Sequence, residues 1–256
     1  MTRGLVVGNW KMNLDHVEAV HLTQQLVSVL ASRPAQHVDV TVAPPFVDLR
    51  SVASVVEAER SPITVAAQHV NDHESGAFTG EVSVTMLRRL GVATVLVGHS
   101  ERRSLFHMDD QLVASTLRAV RRGGLEAIVC VGESLATREA RDERAFVRAQ
   151  IAAALGGLEG HDGVTVAYEP VWAIGTGQSA TTTQVAEMVD EIREEAARCG
   201  YAAARVLYGG SVTGDNAAQI ATEGRVDGFL VGGASLKAES FAAIVSACND
   251  CYAERR

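Results

Sequence analysis

Glu169 stands where a buried strand gives way to an apolar loop. Val164-Thr165-Val166-Ala167 reads as a short buried strand, and Pro170, directly after Glu169, stops any regular ladder. Next comes Val171-Trp172-Ala173-Ile174, closed by Gly175 and Gly177. Loops lie in water and are normally polar, so an apolar one gains by covering something. The pattern fits a lid, hinged at its two ends, that drops over a carboxylate at its base. The competing reading is a loop packed permanently over the core, with Glu169 capping the next helix.

The elements around this stretch decide what it can face. Short β-branched runs recur at Leu5–Gly8, Val38–Ala43, Ile63–Ala67, Thr94–Gly98, Ala127–Val131, Val164–Ala167, Arg205–Tyr208 and Val226–Val231. Nearly all are apolar without alternation, as parallel strands covered on both faces require. Between them, Val17-Val20-Leu26-Val27-Leu30, Leu112-Leu117-Val120, Ala145-Ile151-Leu155, Val185-Met188-Val189-Ile192 and Phe241-Ile244-Val245 have helical spacing. Thr181-Thr182-Thr183 and Thr213-Gly214-Asp215 mark helix starts, and Gly91, Gly123-Gly124 and Gly200 mark stops. Eight strand–helix units with no composition break predict one closed (β/α)8 barrel domain over residues 1–256. An open doubly wound sheet would carry a Gly-rich fingerprint after its first strand. Gly8-Asn9-Trp10-Lys11 stands there instead, which argues against a dinucleotide site.

In such a barrel the residues just after each strand converge on one face. They are Asn9 and Lys11 after the first strand, Gln68 after the third, and His99, Ser100 and Glu101 after the fourth. Glu133 follows the fifth, Glu169 the sixth, Gly209-Gly210-Ser211 the seventh and Gly232-Gly233 the eighth.

Size and charge narrow the partners. A chain of 256 residues buries enough surface to fold without metal or disulfide. A formal net charge of −8 argues against nucleic acid or an anionic membrane, although local donors can still hold an anionic substrate. No apolar run approaches a membrane span, and Met1-Thr2-Arg3 leads straight into a strand without a signal peptide. Scattered Cys130, Cys199, Cys248 and Cys251 suit reduced thiols in a cytoplasm. Cys248 and Cys251 form a C-x-x-C, but no second Cys or His pair accompanies it. No metal or other cofactor is expected.

Five segments then carry a resemblance. Gly8-Asn9-Trp10-Lys11-Met12-Asn13, Val97-Gly98-His99-Ser100-Glu101-Arg102-Arg103, Ala167–Gly177, Tyr208-Gly209-Gly210-Ser211-Val212 and Gly228–Leu236 resemble the signatures of the triosephosphate isomerase family, in order and without large insertions. The resemblance implies an isomerase of glycolysis and gluconeogenesis that interconverts dihydroxyacetone phosphate and D-glyceraldehyde 3-phosphate through an enediolate. It implies Glu169 as the base that moves the carbon-bound proton, and His99 as a neutral donor to the two oxygens that gain charge. Ser100-Glu101-Arg102 reads as the first turn of a helix, whose N-terminus disfavours imidazolium at His99. Lys11 supplies a fixed positive charge and Asn9 a neutral hydrogen-bonder. The phosphate is expected on Gly232, Gly233 and Ser211, with Gly175 joining from the lid. Glu101, Ser100 and Leu230 support the site, Trp172 and Ile174 pack the lid against Leu230, and Arg102 and Cys130 match supporting positions.

The segment Ser75-Gly76-Ala77-Phe78-Thr79-Gly80-Glu81 resembles the family's long third loop, which implies a homodimer with Thr79 at the tip of the contact. Two positions depart from the pattern. His69 stands where the family usually has Asn or Asp, and Gln178 replaces a basic residue beyond the lid. A paralogous tetrulose-phosphate isomerase could keep all of these residues and differ only in pocket walls. A non-catalytic phosphosugar-binding barrel would not need Glu169 or the lid.

Overall fold

The computed structural model describes residues 3–158, 162–174 and 179–254. Among them, β1 (Gly4–Asn9), β2 (Val38–Ala43), β3 (Thr64–Ala67), β4 (Thr94–Val97), β5 (Glu126–Val131), β6 (Val164–Tyr168), β7 (Arg205–Tyr208) and β8 (Gly228–Val231) pair in chain order. Every pairing is parallel, and β8 returns to β1 to close the barrel. The helices are α1 (His16–Ser32), α2 (Leu49–Ala58), α3 (Val84–Arg89), α4 (Ser100–Leu105), α5 (Asp110–Arg122), α6 (Leu135–Glu139), α7 (Glu143–Leu155), α8 (Thr182–Arg198), α9 (Gly214–Glu223) and α10 (Ala238–Glu254). This is the (β/α)8 barrel that the strand runs called for.

The lack of polar alternation has a direct cause. Leu5, Val7, Ala66, Leu96, Ile128, Ala167 and Leu207 form one buried cluster, while Val6, Val40, Val95, Val129, Val166 and Val206 belong to another that includes Leu26, Leu117, Ile151, Ile192 and Phe241 of the helices. Successive strand residues point to opposite faces. One set therefore fills the barrel axis and the other meets the helices, so both faces of each strand are apolar.

Side chains set the helix starts. Asp15 accepts from the backbone N–H of Val17 and Glu18, and Glu18 reaches back to the N–H of Asp15. Thr181 and Gln184 make the same reciprocal pair at α8. Removing such a cap costs about 1 kcal/mol. The run Val226–Val231 starts later than its β-branched content suggested. Strand β8 begins at Gly228, whose φ of +146° and whose added Cβ would lie 1.8 Å from the carbonyl of Leu5. Closure of the barrel at the β1–β8 seam thus needs a glycine there.

Cys248 and Cys251 are both buried on α10, and Cys251 Sγ lies 3.6 Å from the Ala218 carbonyl and from Thr222 Oγ1. Among the described residues no group of three or more His, Cys, Asp or Glu is placed to hold a metal ion, and no helix is long and apolar enough to cross a membrane.

Candidate active site

The ends of β1, β4, β6, β7 and β8 surround a cavity of about 400 Å³, bordered by Asn9, Lys11, His99, Glu169, Ser211 and Gly232 among others. Strand β6 stops at Tyr168, and the Glu169 N–H still donates to the Val131 carbonyl (2.8 Å) before Pro170 turns the chain away. The side chain of Glu169 is only 2% exposed. Its Oε2 accepts the Ser100 N–H at 2.8 Å, and its Oε1 lies 3.1 Å from His99 Nε2. Glu169 therefore does not cap the short 3-10 turn Val171–Ala173 that follows it, which has no side-chain cap. A Cβ on Gly132 would lie 1.7 Å from the Glu169 carbonyl, so the backbone of β5 approaches closely behind the acid. Burial, followed by the charge of Glu169 beside it, holds the Cys130 thiol well above its ordinary range.

His99 is the N-cap of α4. Its Nδ1 accepts the Glu101 N–H at 3.2 Å, which requires an unprotonated Nδ1. The neutral ring then carries its proton on Nε2, the nitrogen that faces Glu169 and the cavity. The helix start that the sequence suggested thus fixes the tautomer by a specific bond as well as by its dipole.

Lys11 adopts a left-handed backbone, with φ of +54°. Both of its peptide groups are held: the N–H donates to Asn9 Oδ1 (3.1 Å), and the carbonyl accepts from Gln68 Nε2 (2.8 Å). Gln68 Nε2 also donates to the Ala43 carbonyl at the end of β2 (2.8 Å). One amide thus ties the ends of three strands, and the strain of a left-handed residue persists because its neighbours dictate it. The Lys11 ammonium reaches Glu101 Oε1 at 2.7 Å, and Gly232 sits beside it, a Cβ built there lying 3.9 Å from Nζ.

Gly232 precedes the 3-10 turn Gly233–Leu236, and both Ser235 N and Ser235 Oγ donate back to its carbonyl. Gly209, Gly210 and Ser211 line the same cavity after β7. Two glycine-containing turns and the Lys11 ammonium thus border one side of the cavity. Gly175, the expected contribution of the lid, lies outside the described residues, as does Gln178.

Two features were not legible beforehand. Glu133 is fully buried, and its Oε1 accepts from Arg138 Nη1 (2.7 Å), Trp172 Nε1 (2.7 Å) and Tyr168 OH (3.1 Å). Trp172, expected against Leu230, therefore turns to Glu133, lies under the Arg138 guanidinium and packs with the helix-side core. Ile174 does border the cavity together with Leu230. Gln68 was named only as a strand-end polar group, and nothing local reveals that it clamps Lys11.

With this geometry in place, comparison with known proteins is direct. The sequence profile described as Triosephosphate isomerase matches residues 4–248. The curated Triosephosphate isomerase of Rhodococcus jostii (strain RHA1) is 46% identical over 246 residues, covering 94% of each chain. That of Nocardia farcinica (strain IFM 10152) is also 46% identical, with 94% of each chain covered. The Mycobacterium avium (strain 104) protein is 43% identical over 248 residues, covering 94% of this chain and 95% of its own.

Proposed function

The chain belongs to the triosephosphate isomerase family, and on that premise we propose that Glu169, His99 and Lys11 perform its proton-transfer chemistry. The enzyme is an isomerase of glycolysis that interconverts dihydroxyacetone phosphate and D-glyceraldehyde 3-phosphate. The observation that carries the residue roles is one cavity bordered by a covered carboxylate, an Nε2–H imidazole and an ammonium.

Glu169 removes a proton from the hydroxyl-bearing carbon next to the substrate carbonyl and returns it to the neighbouring carbon, the former carbonyl carbon, to form the aldose. It first has to leave the Ser100 N–H that holds it. His99 Nε2–H, freed from the departing carboxylate, donates to the oxygens on which the enediolate charge develops. Lys11 stabilises the same charge and faces the phosphate, which sits on the N–H groups of Gly232, Gly233 and Ser211. Glu101 holds Lys11, Asn9 holds the Lys11 backbone, and Leu230 with Ile174 keeps water off the base.

The working unit in this reading is a homodimer in the cytoplasm, one barrel domain per chain, joined through the loop around Gly76–Thr79. Phe78 is 40% exposed, and Met12, Met86, Leu105 and Phe106 are more so. Several large apolar side chains in contact with water are what a partner surface would cover.

A coupled assay with glyceraldehyde 3-phosphate, run beside an erythrulose phosphate, tests the substrate. Turnover of the three-carbon substrate is expected to dominate. A higher kcat/KM on the four-carbon ketose would move the assignment to a tetrulose phosphate.

A further inference from the structure

A second cavity, about 370 Å³, opens behind the catalytic carboxylate. It lies outside the barrel axis, between α4 and α5 on one side and α6 and α7 on the other, and Glu169 borders both this cavity and the first. Its walls are built for a ligand of mixed character. Val131, Val171 and Phe146 make an apolar side, with Phe146 42% exposed at the surface. The charged groups are already engaged: Arg103 pairs with Asp110 at 2.6 Å and donates to the Gly98 carbonyl, and Asp109 caps α5 through Leu112 N–H.

Gln150 is different. It is 5% exposed, and its Oε1 accepts the Gly132 N–H at 2.8 Å, which fixes the orientation of the amide. The Nε2 end donates to no group among the described residues. An amide nitrogen with both protons unused on a cavity wall is open to an acceptor on a bound molecule. A neutral acceptor fits better than an anion, because Glu169, Asp109 and Asp110 border the cavity while Arg103 on the same wall is already paired with Asp110.

We infer that this rear cavity is a second, regulatory site for a small neutral molecule with a carbonyl acceptor and a flat apolar body. The carbonyl accepts from Gln150 Nε2 while the body lies between Phe146 and Val171. A volume of this size suits a single-ring compound. Because Ser100 and Glu169 both border the cavity, its occupant holds the carboxylate on the Ser100 N–H and so opposes the advance that proton transfer requires. Inhibition then lowers kcat and leaves KM for the phosphosugar unchanged. This effect on rate rests on the reading of Glu169 as base, whereas binding does not.

Benzamide is the probe. It is titrated into the whole enzyme, with binding followed by protein-observed NMR and rate by the coupled assay. Saturable binding is expected, undiminished by inorganic phosphate, with non-competitive inhibition. Phe146→Ala is expected to weaken benzamide about tenfold with basal kcat/KM unchanged, and Gln150→Leu to weaken it by a similar factor. No saturable binding at millimolar benzamide, displacement by phosphate, binding without inhibition, or unchanged affinity in Phe146→Ala would each overturn the inference. Failure of the base assignment itself shows separately, as a Glu169 variant that retains activity.

Discussion

His99 Nε2 lies 3.1 Å from Glu169 Oε1, so the two groups proposed as donor to the substrate's oxygens and as base for its carbon touch each other. The contact has a direction, because the Glu101 N–H occupies Nδ1 and leaves the proton on Nε2. In the proposed mechanism a substrate oxygen entering at His99 replaces the carboxylate as acceptor and frees Glu169 Oε1 to face the carbon acid.

His99→Gln keeps a donor of similar reach but cannot give up its proton to a developing alkoxide. We expect kcat to fall by about 100-fold or more with KM changed little, measured in both directions of the isomerisation. A loss confined to KM would assign His99 to binding.

His69 makes folding stability depend on pH. Burial first, and then the nearby positive charge of Arg102, lower its pKa from the ordinary 6.5 to about 4, against the opposing charges of Glu81 and Asp72. The folded state thus keeps the ring neutral while the unfolded chain protonates it. Its contribution is complete above about pH 6.5 and is lost as pH falls toward 4. Urea midpoints should give about 2 kcal/mol less stability at pH 5 than at pH 8 from this residue. His69→Asn should remove that share of the slope. An identical pH dependence in the variant would show that other groups produce it.

Phe78 tests the proposed assembly. A charge at its ring position, as in Phe78→Asp, should shift the sedimentation coefficient to that of one chain and lower activity at nanomolar protein. A wild-type enzyme that already sediments as one chain would contradict the dimer.

Much of this arrangement was legible because its signals are local. Pro170 after an apolar run marks the end of β6, and Ser100-Glu101 after β4 marks the helix that caps on His99. Glycine pairs after the last two strands mark the turns that line the cavity for the same reason. The partners of Lys11 and Trp172 were not legible. Gln68 is 57 residues from Lys11 and Glu133 is 39 from Trp172, and no pattern within one element links them. Helix α6, from Leu135 to Glu139, is too short to show a period of its own. At β8, Asp227 spends its carboxylate on Val206 N–H and Arg193, so the regular strand starts only after it.

The central claim is that the Glu169 carboxylate reaches the carbon acid. Glu169→Asp keeps the charge and withdraws it by one methylene. Steady-state turnover of glyceraldehyde 3-phosphate by this variant should have a kcat lower by on the order of 100-fold or more, with circular dichroism and thermal midpoint retained. A kcat within a few fold of the wild type would contradict the account and remove Glu169 from the base role.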